Sequence, residues 1–224
     1  MNFGFVKYSI FGRYEDVGTT PEQVAQIYDI LGKKGFLPNM IQLIQVEQPS
    51  NIVKQVDRAQ FVNKEKNHIV TIFPDRIDIQ SPSDNDSDII YEYLFELMSK
   101  FDLKSCRLAI NSNIQLTQIN ESQLENIRKA FVVKSDDETI VEWSVRRVER
   151  KKILDDTEEI NSVYQIQYSE LFPQTTKLVI FDTDVNTVAE NINERYSCEN
   201  IKNAFIQLMA SNNSLVQKLG EVLK

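Results

Sequence analysis

Apolar residues along the chain switch between the two-residue period of a strand and the 3.6-residue period of a helix, and the switches follow a repeating order. Phe3, Phe5, Val6, Tyr8, Ile10 and Phe11 crowd both parities, which predicts a strand that is covered on both sides or strongly twisted. Thr20-Pro21-Glu22-Gln23 then has capping-box spacing with proline at the first helical position. Val24, Ile27, Tyr28 and Leu31 continue it as one apolar helical face, and Gly32 and Gly35 offer stops. Residues 40–47, 58–63 and 68–80 read as three strands. In the last of these Ile69, Phe73, Ile77 and Ile79 share a parity that Asp78 and Gln80 avoid. Ile89, Ile90, Tyr93, Leu94, Leu97, Met98 and Phe101 predict an amphipathic helix behind the acidic run Asp84–Asp88.

The same order returns. Leu108, Ile110, Ile114 and Leu116 predict a strand; Asn120 and Gln123 have capping-box spacing, and Leu124, Ile127 and Phe131 continue as a helix. Residues 140–152, 161–171 and 177–185 supply three more strands. A helical pattern, in one piece or two, runs from Val188 through Ile206 to Val222. The expected architecture is therefore α+β: two pseudo-repeated β-α-β-β-β-α units, residues 1–104 and 105–224, in one continuous globular body. Short polar turns favour antiparallel pairing, with the helices packed on one face of the sheet. No Gly, Pro or Ser-rich linker separates the halves.

Three stretches, Arg58-Ala-Gln-Phe61, Phe73-Pro74-Asp75-Arg76-Ile77 and Arg107-Leu-Ala-Ile-Asn111, resemble a widespread, sporadically distributed bacterial family of similar length and unassigned function. Phe181-Asp182-Thr183-Asp184 and the helix holding Ile201, Ala204 and Phe205 look like its C-terminal pattern. Where such relatives place a histidine in the last helix, this chain has Asn193 or Glu194. The resemblance implies the fold boundaries and no catalytic residue. A sporadic family suggests a defence, toxin-neutralising or mobile-element associated role.

Composition narrows the classes. In 224 residues, 42% hydrophobic content is enough for a sizeable core. A formal charge of -8 repels polyphosphate and anionic membranes at long range, so nucleic acid and membrane are both unexpected partners. The first residues lack the pattern of a signal peptide, and no uncharged apolar run is long enough to span a bilayer, which leads us to expect a cytoplasmic protein. Cys106 and Cys198 lie in element-forming sequence, which predicts two idle thiols rather than a disulfide.

Candidate chemistry is sparse. His68 is the only histidine, so a catalytic triad would hang on one residue at a strand start, and a half-exposed turn histidine is the plainer expectation. Asp84, Asp86 and Asp88 alternate like a calcium loop, but Ile89 and Phe95 stand where Gly and Glu belong. Those acids instead suit a helix N-terminus, with Asp86 or Ser87 as cap. Asp182 and Asp184 point to one side at a strand end and could hold a divalent ion, with Arg76 or His68 as helpers in a small enzyme. Trp143 with Arg146, Arg147, Arg150, Lys151 and Lys152 is the one basic cluster, a candidate binding strand for nucleic acid or an acidic protein. A hairpin laying Asp155, Asp156, Glu158 and Glu159 against those cations would neutralise it. Aromatic residues fall on core faces while polar ones scatter, so we expect a noncatalytic protein-interaction module. No cofactor is expected, and the partner is a protein or a second copy of the chain.

Overall fold

The computed structural model describes residues 2–47, 52–131, 142–154, 157–171 and 176–224. Strand β1 (Asn2–Phe11) leads into α1 (Pro21–Leu31), β2 (Leu37–Glu47), β3 (Ile52–Asn63), β4 (His68–Ile72), β5 (Arg76–Ser81) and α2 (Ser87–Phe101). Then follow β6 (Arg107–Leu116), α3 (Glu121–Phe131), β7 (Trp143–Ile153), β8 (Glu158–Leu171), β9 (Thr176–Thr187) and α4 (Ile201–Val222). Both capping boxes form. Thr20 Oγ1 accepts from the Gln23 amide at 3.3 Å, and Asn120 Oδ1 from the amide of its own Gln123 at 2.9 Å. Each glutamine side chain reaches back to the amide of its cap.

The nine strands hydrogen-bond in the order β2-β3-β4-β5-β1-β6-β9-β8-β7, and the described registers are antiparallel. With four α-helices among the described residues, the fold is α+β around a large antiparallel sheet.

Three expectations need correction. Residues 68–80 are a hairpin, not one strand: Pro74 and Asp75 turn the chain, and the Phe73 amide closes on the Arg76 carbonyl at 2.8 Å. The first stretch consequently has five strands where the second has four, so the element order is not the same twice. The last helix begins at Ile201, not near Val188. Asn191, Asn193 and Cys106 offer carbonyls to the Arg195 guanidinium, Ser105 bridges to Tyr196, and the Ser197 amide binds Asn200 Oδ1 at 2.9 Å. Side chains that satisfy backbone groups in this way compete with the helix until Ile201.

The chain divides into two compact units, one of Lys7–Leu108 and Asn191–Lys202, the other of Met1–Val6, Ala109–Glu190 and Asn203–Lys224. In the first, α1 and α2 cover one face of the strands. Tyr8, Ile10, Ala59, Phe61, Val70, Ile72, Ile77 and Ile79 are buried there, with Tyr93 of α2 set edge-on to Phe36 at 5.1 Å. In the second, the covered face holds Ile110, Ile114, Ile160, Ile166, Phe181 and Val185. Phe131 of α3 lies 5.5 Å from Tyr164 and 5.9 Å from Phe181. Buried Asn212 of α4 donates to Ser112 Oγ at 2.9 Å and accepts from Thr183 Oγ1, a polar tie between helix and sheet.

Candidate functional site: an arginine and phenylalanine row

On the face of the first unit turned away from its helices, strand alternation lines up side chains from five segments. The Gln60 amide donates to Thr71 Oγ1 at 3.2 Å, and Thr71 lies directly opposite Asp78. Two residues from these stand Arg58, Phe73 and Arg76. Lys7 Nζ lies 3.9 Å from Asp78 Oδ2, which puts Lys7, Ser9 and Phe11 of β1 on the same face. Arg107 of β6 completes the row, its guanidinium 4.8 Å from the centre of the Phe11 ring. Arg76 sits likewise over Phe73 at 4.0 Å. In strand order the row reads Arg58, Phe73, Arg76, Phe11, Arg107.

Asp78 is 8% exposed and takes Arg76 Nε at 3.1 Å on Oδ2, with Lys7 beside it. Its Oδ1 and the Nε donors of Arg58 and Arg107 are buried, with no hydrogen-bond partner among the described residues. Four cations, Lys7, Arg58, Arg76 and Arg107, thus share this face with Asp78 and the exposed Asp75, which lies 3.6 Å from Arg76 Nη1. Guanidinium Nε groups without acceptors are unmet demand for an oxyanion. At roughly 4.8 Å per strand, the row from Arg58 to Arg107 crosses four spacings and spans about 19 Å, too far for one small ion.

The residues singled out in the sequence fall elsewhere or on opposite faces. His68 is buried, not half-exposed: Nε2 is 3.0 Å from Asp86 Oδ2, and Nδ1 is 3.4 Å from the Tyr93 hydroxyl. Burial by itself would raise the Asp86 carboxyl, but the hydrogen bonds from Ser81 and His68, with the charges of His68 and Lys66, hold it below the usual carboxylate range. Asp86 does occupy the N-cap of α2, yet its side chain makes no capping bond because it is turned to Ser81 and His68. His68 lies on the helix-covered face and Arg76 on the other, so the two do not converge.

Asp182 and Asp184 sit inside β9, not at its end, and do share a side. Amides satisfy them: Asn113 Nδ2 donates to Asp182 at 2.6 Å and Asn186 Nδ2 to Asp184 at 2.9 Å. Among the described residues no three His, Cys, Asp or Glu side chains are grouped to hold a metal ion. Cys106 and Cys198 are free thiols.

The basic strand β7 splits its cations between two sides. Arg147 and Lys151 alternate with Trp143, whose ring lies 5.9 Å from Tyr168; both cations pair with Glu149, Arg147 at 3.1 Å and Lys151 at 3.8 Å. Arg146, opposite Gln165, and Arg150, opposite Asn161, point the other way, and Arg150 reaches Glu190 at 3.4 Å. Asp155 and Asp156 lie outside the described residues. Lys152 is opposite Glu159, but the remaining cations face neutral partners in β8, so Glu149 and Glu190 supply most of the counter-charge.

Sequence reasoning did not assemble the arginine and phenylalanine row, because its members come from distant segments. Arg58, Phe73 with Arg76, and Arg107 do fall in three of the short stretches singled out in the sequence, but nothing in those stretches says that they share a face. No family model matches the chain, and no curated protein matches it in sequence. No helix among the described residues is long and apolar enough to cross a membrane.

Proposed function

We propose that this protein is a noncatalytic protein-interaction module that receives an acidic segment of a partner protein on the open face of its first unit. The observation that carries the reading is the row of three guanidinium groups, with Lys7 beside them, on one face of the first unit. A carboxylate supplies the forked acceptor geometry that a guanidinium favours. An extended chain rising about 3.3 Å per residue covers the roughly 19 Å row with about six residues. A protein segment fits better than a nucleic acid, because the rings of Phe73 and Phe11 already carry guanidinium groups where bases would stack. The paired capping boxes at Thr20 and Asn120 support the further view of two related halves, 1–104 and 105–224.

The test is purification of the tagged protein from its own host beside the double variant Arg58→Gln/Arg107→Gln. We expect the wild type to retain a stoichiometric protein that high salt releases and that the variant fails to hold. Retained material that nuclease removes would move the site to nucleic acid, and identical retention by the variant would overturn the reading.

A further inference from the structure

The two strands at the ends of the hydrogen-bonded order are unlike in chemistry. Strand β7 carries Arg146, Arg147, Arg150, Lys151 and Lys152, the charge that edge strands use to refuse pairing. Strand β2 carries none from Leu37 to Val46. Its exposed positions are neutral, three of them large and apolar beside Asn39 and Gln42: Leu37 is 58%, Met40 56% and Ile44 68% exposed, with Tyr28 of α1 40% exposed. A run of ten uncharged residues, Leu37 to Val46, in a strand that has no neighbour on its outer edge among the described residues is a template for another strand.

The sequence of β2 also identifies that strand. Around Gln42 it reads Asn39-Met40-Ile41-Gln42-Leu43-Ile44-Gln45, polar and apolar in the same order in both directions. Antiparallel pairing with its own copy about a twofold axis at Gln42 therefore sets like against like: Ile41 against Leu43, Met40 against Ile44, Asn39 against Gln45. Cross-strand apolar pairs of this kind stabilise a sheet, and no charge opposes them. Pro38, which lacks an amide donor, lies outside this central run. We propose that the chain forms a twofold dimer by antiparallel pairing of β2 with β2 of a second copy, Gln42 meeting Gln42 on the axis. An isologous contact of this type closes on itself and stops at two chains.

Gln42 is exposed and lies 3.5 Å from Asp57 Oδ1, a carboxylate that a lysine can also reach, so Gln42→Lys leaves each protomer folded. Light scattering on a sizing column, over a concentration series, should give a wild-type mass rising to twice the 26.0 kDa of the chain. Gln42→Lys and Gln42→Glu each set like charges together on the axis and should remain at the single-chain mass; Gln42→Lys, which faces Asp57, should keep the urea midpoint that the wild type has at concentrations too low to pair. Mixed in equal amounts they should recover the doubled mass, now as a heterodimer by native mass spectrometry. A wild type that stays at the single mass at every concentration overturns the proposal, as does a dimer that Gln42→Lys leaves intact. Failure of the mixture to pair would overturn the register. None of these results touches Arg58 or Arg107, so the acidic-segment reading stands or falls separately.

Discussion

The histidine at position 68 shows how much one side chain's surroundings decide. A strand start flanked by Lys66 and Asn67 suggests solvent, yet Tyr93 and Asp86 close over the ring and leave it 1% exposed. Asp86 gathers both Ser81 Oγ and His68 Nε2, so Asp86→Ala strips two partners from buried groups at once. We expect a loss of about 2–3 kcal/mol, seen as a lower urea midpoint at neutral pH. The pH dependence has a definite sign. The Asp86 carboxyl titrates lower when folded than when unfolded, so its contribution is complete above the ordinary carboxylate value and disappears as the pH falls through the lower folded one. Stability of Asp86→Ala should accordingly fall less steeply on that acid limb than stability of the wild type. An equal slope in both would show that Asp86 is not responsible. Asn212 offers a second residue-scale check: Asn212→Ala leaves Ser112 and Thr183 without their shared partner in a buried site, and should cost about 2–4 kcal/mol in the same assay. Neither network was legible in the sequence, because a buried polar group is known only by what folds against it.

Among elements, those with local punctuation were readable and those defined by tertiary contacts were not. Thr20 and Asn120 mark α1 and α3 through bonds made within four residues of chain. Thr20→Ala and Asn120→Ala should each cost about 1 kcal/mol in thermal or urea unfolding, the usual worth of an N-cap. The hairpin of β4 and β5 was missed for a geometric reason. Its register pairs Val70 with Ile79 and Ile72 with Ile77, even with odd, so the buried parity reverses across Pro74. Ile69 and Phe73 therefore lie on the open face although they share a parity with buried Ile77 and Ile79. That alternation read as one long strand conceals the fold-back; only Pro74-Asp75 marks it. Residues 188–200 failed in the opposite sense. Their apolar spacing suits a helix, but Arg195 collects carbonyls and Tyr196 bridges Ser105, contacts that no window of sequence contains. The arginine and phenylalanine row is of this second kind, since strand order alone brings its members together.

At the scale of the whole molecule the cations of β7 set two electrostatic effects against each other. Arg146, Arg150 and Lys152 alternate along one side of an edge strand, where charge blocks pairing with another chain. Replacing all three by serine removes three positive charges, taking the formal charge from -8 to -11. Greater net charge by itself predicts a more soluble, less self-associating protein. Local edge protection predicts the reverse, because β7 would then offer an 11-residue strand with fewer charges to refuse a neighbour. The local effect should prevail. Pairing is decided where backbones approach to about 4.8 Å, well within the roughly 8 Å screening length of physiological salt, whereas the net charge acts mainly from beyond it. The triple variant should unfold at nearly the wild-type urea concentration, since the exposed pairs it loses contribute at most about 1 kcal/mol. It should nonetheless scatter more light on incubation at physiological salt, and do so with Gln42→Lys present as well, because the new contact runs through β7 and not β2. Reduced scattering relative to the wild type would mean that overall charge governs association and that these cations serve some purpose other than guarding an edge.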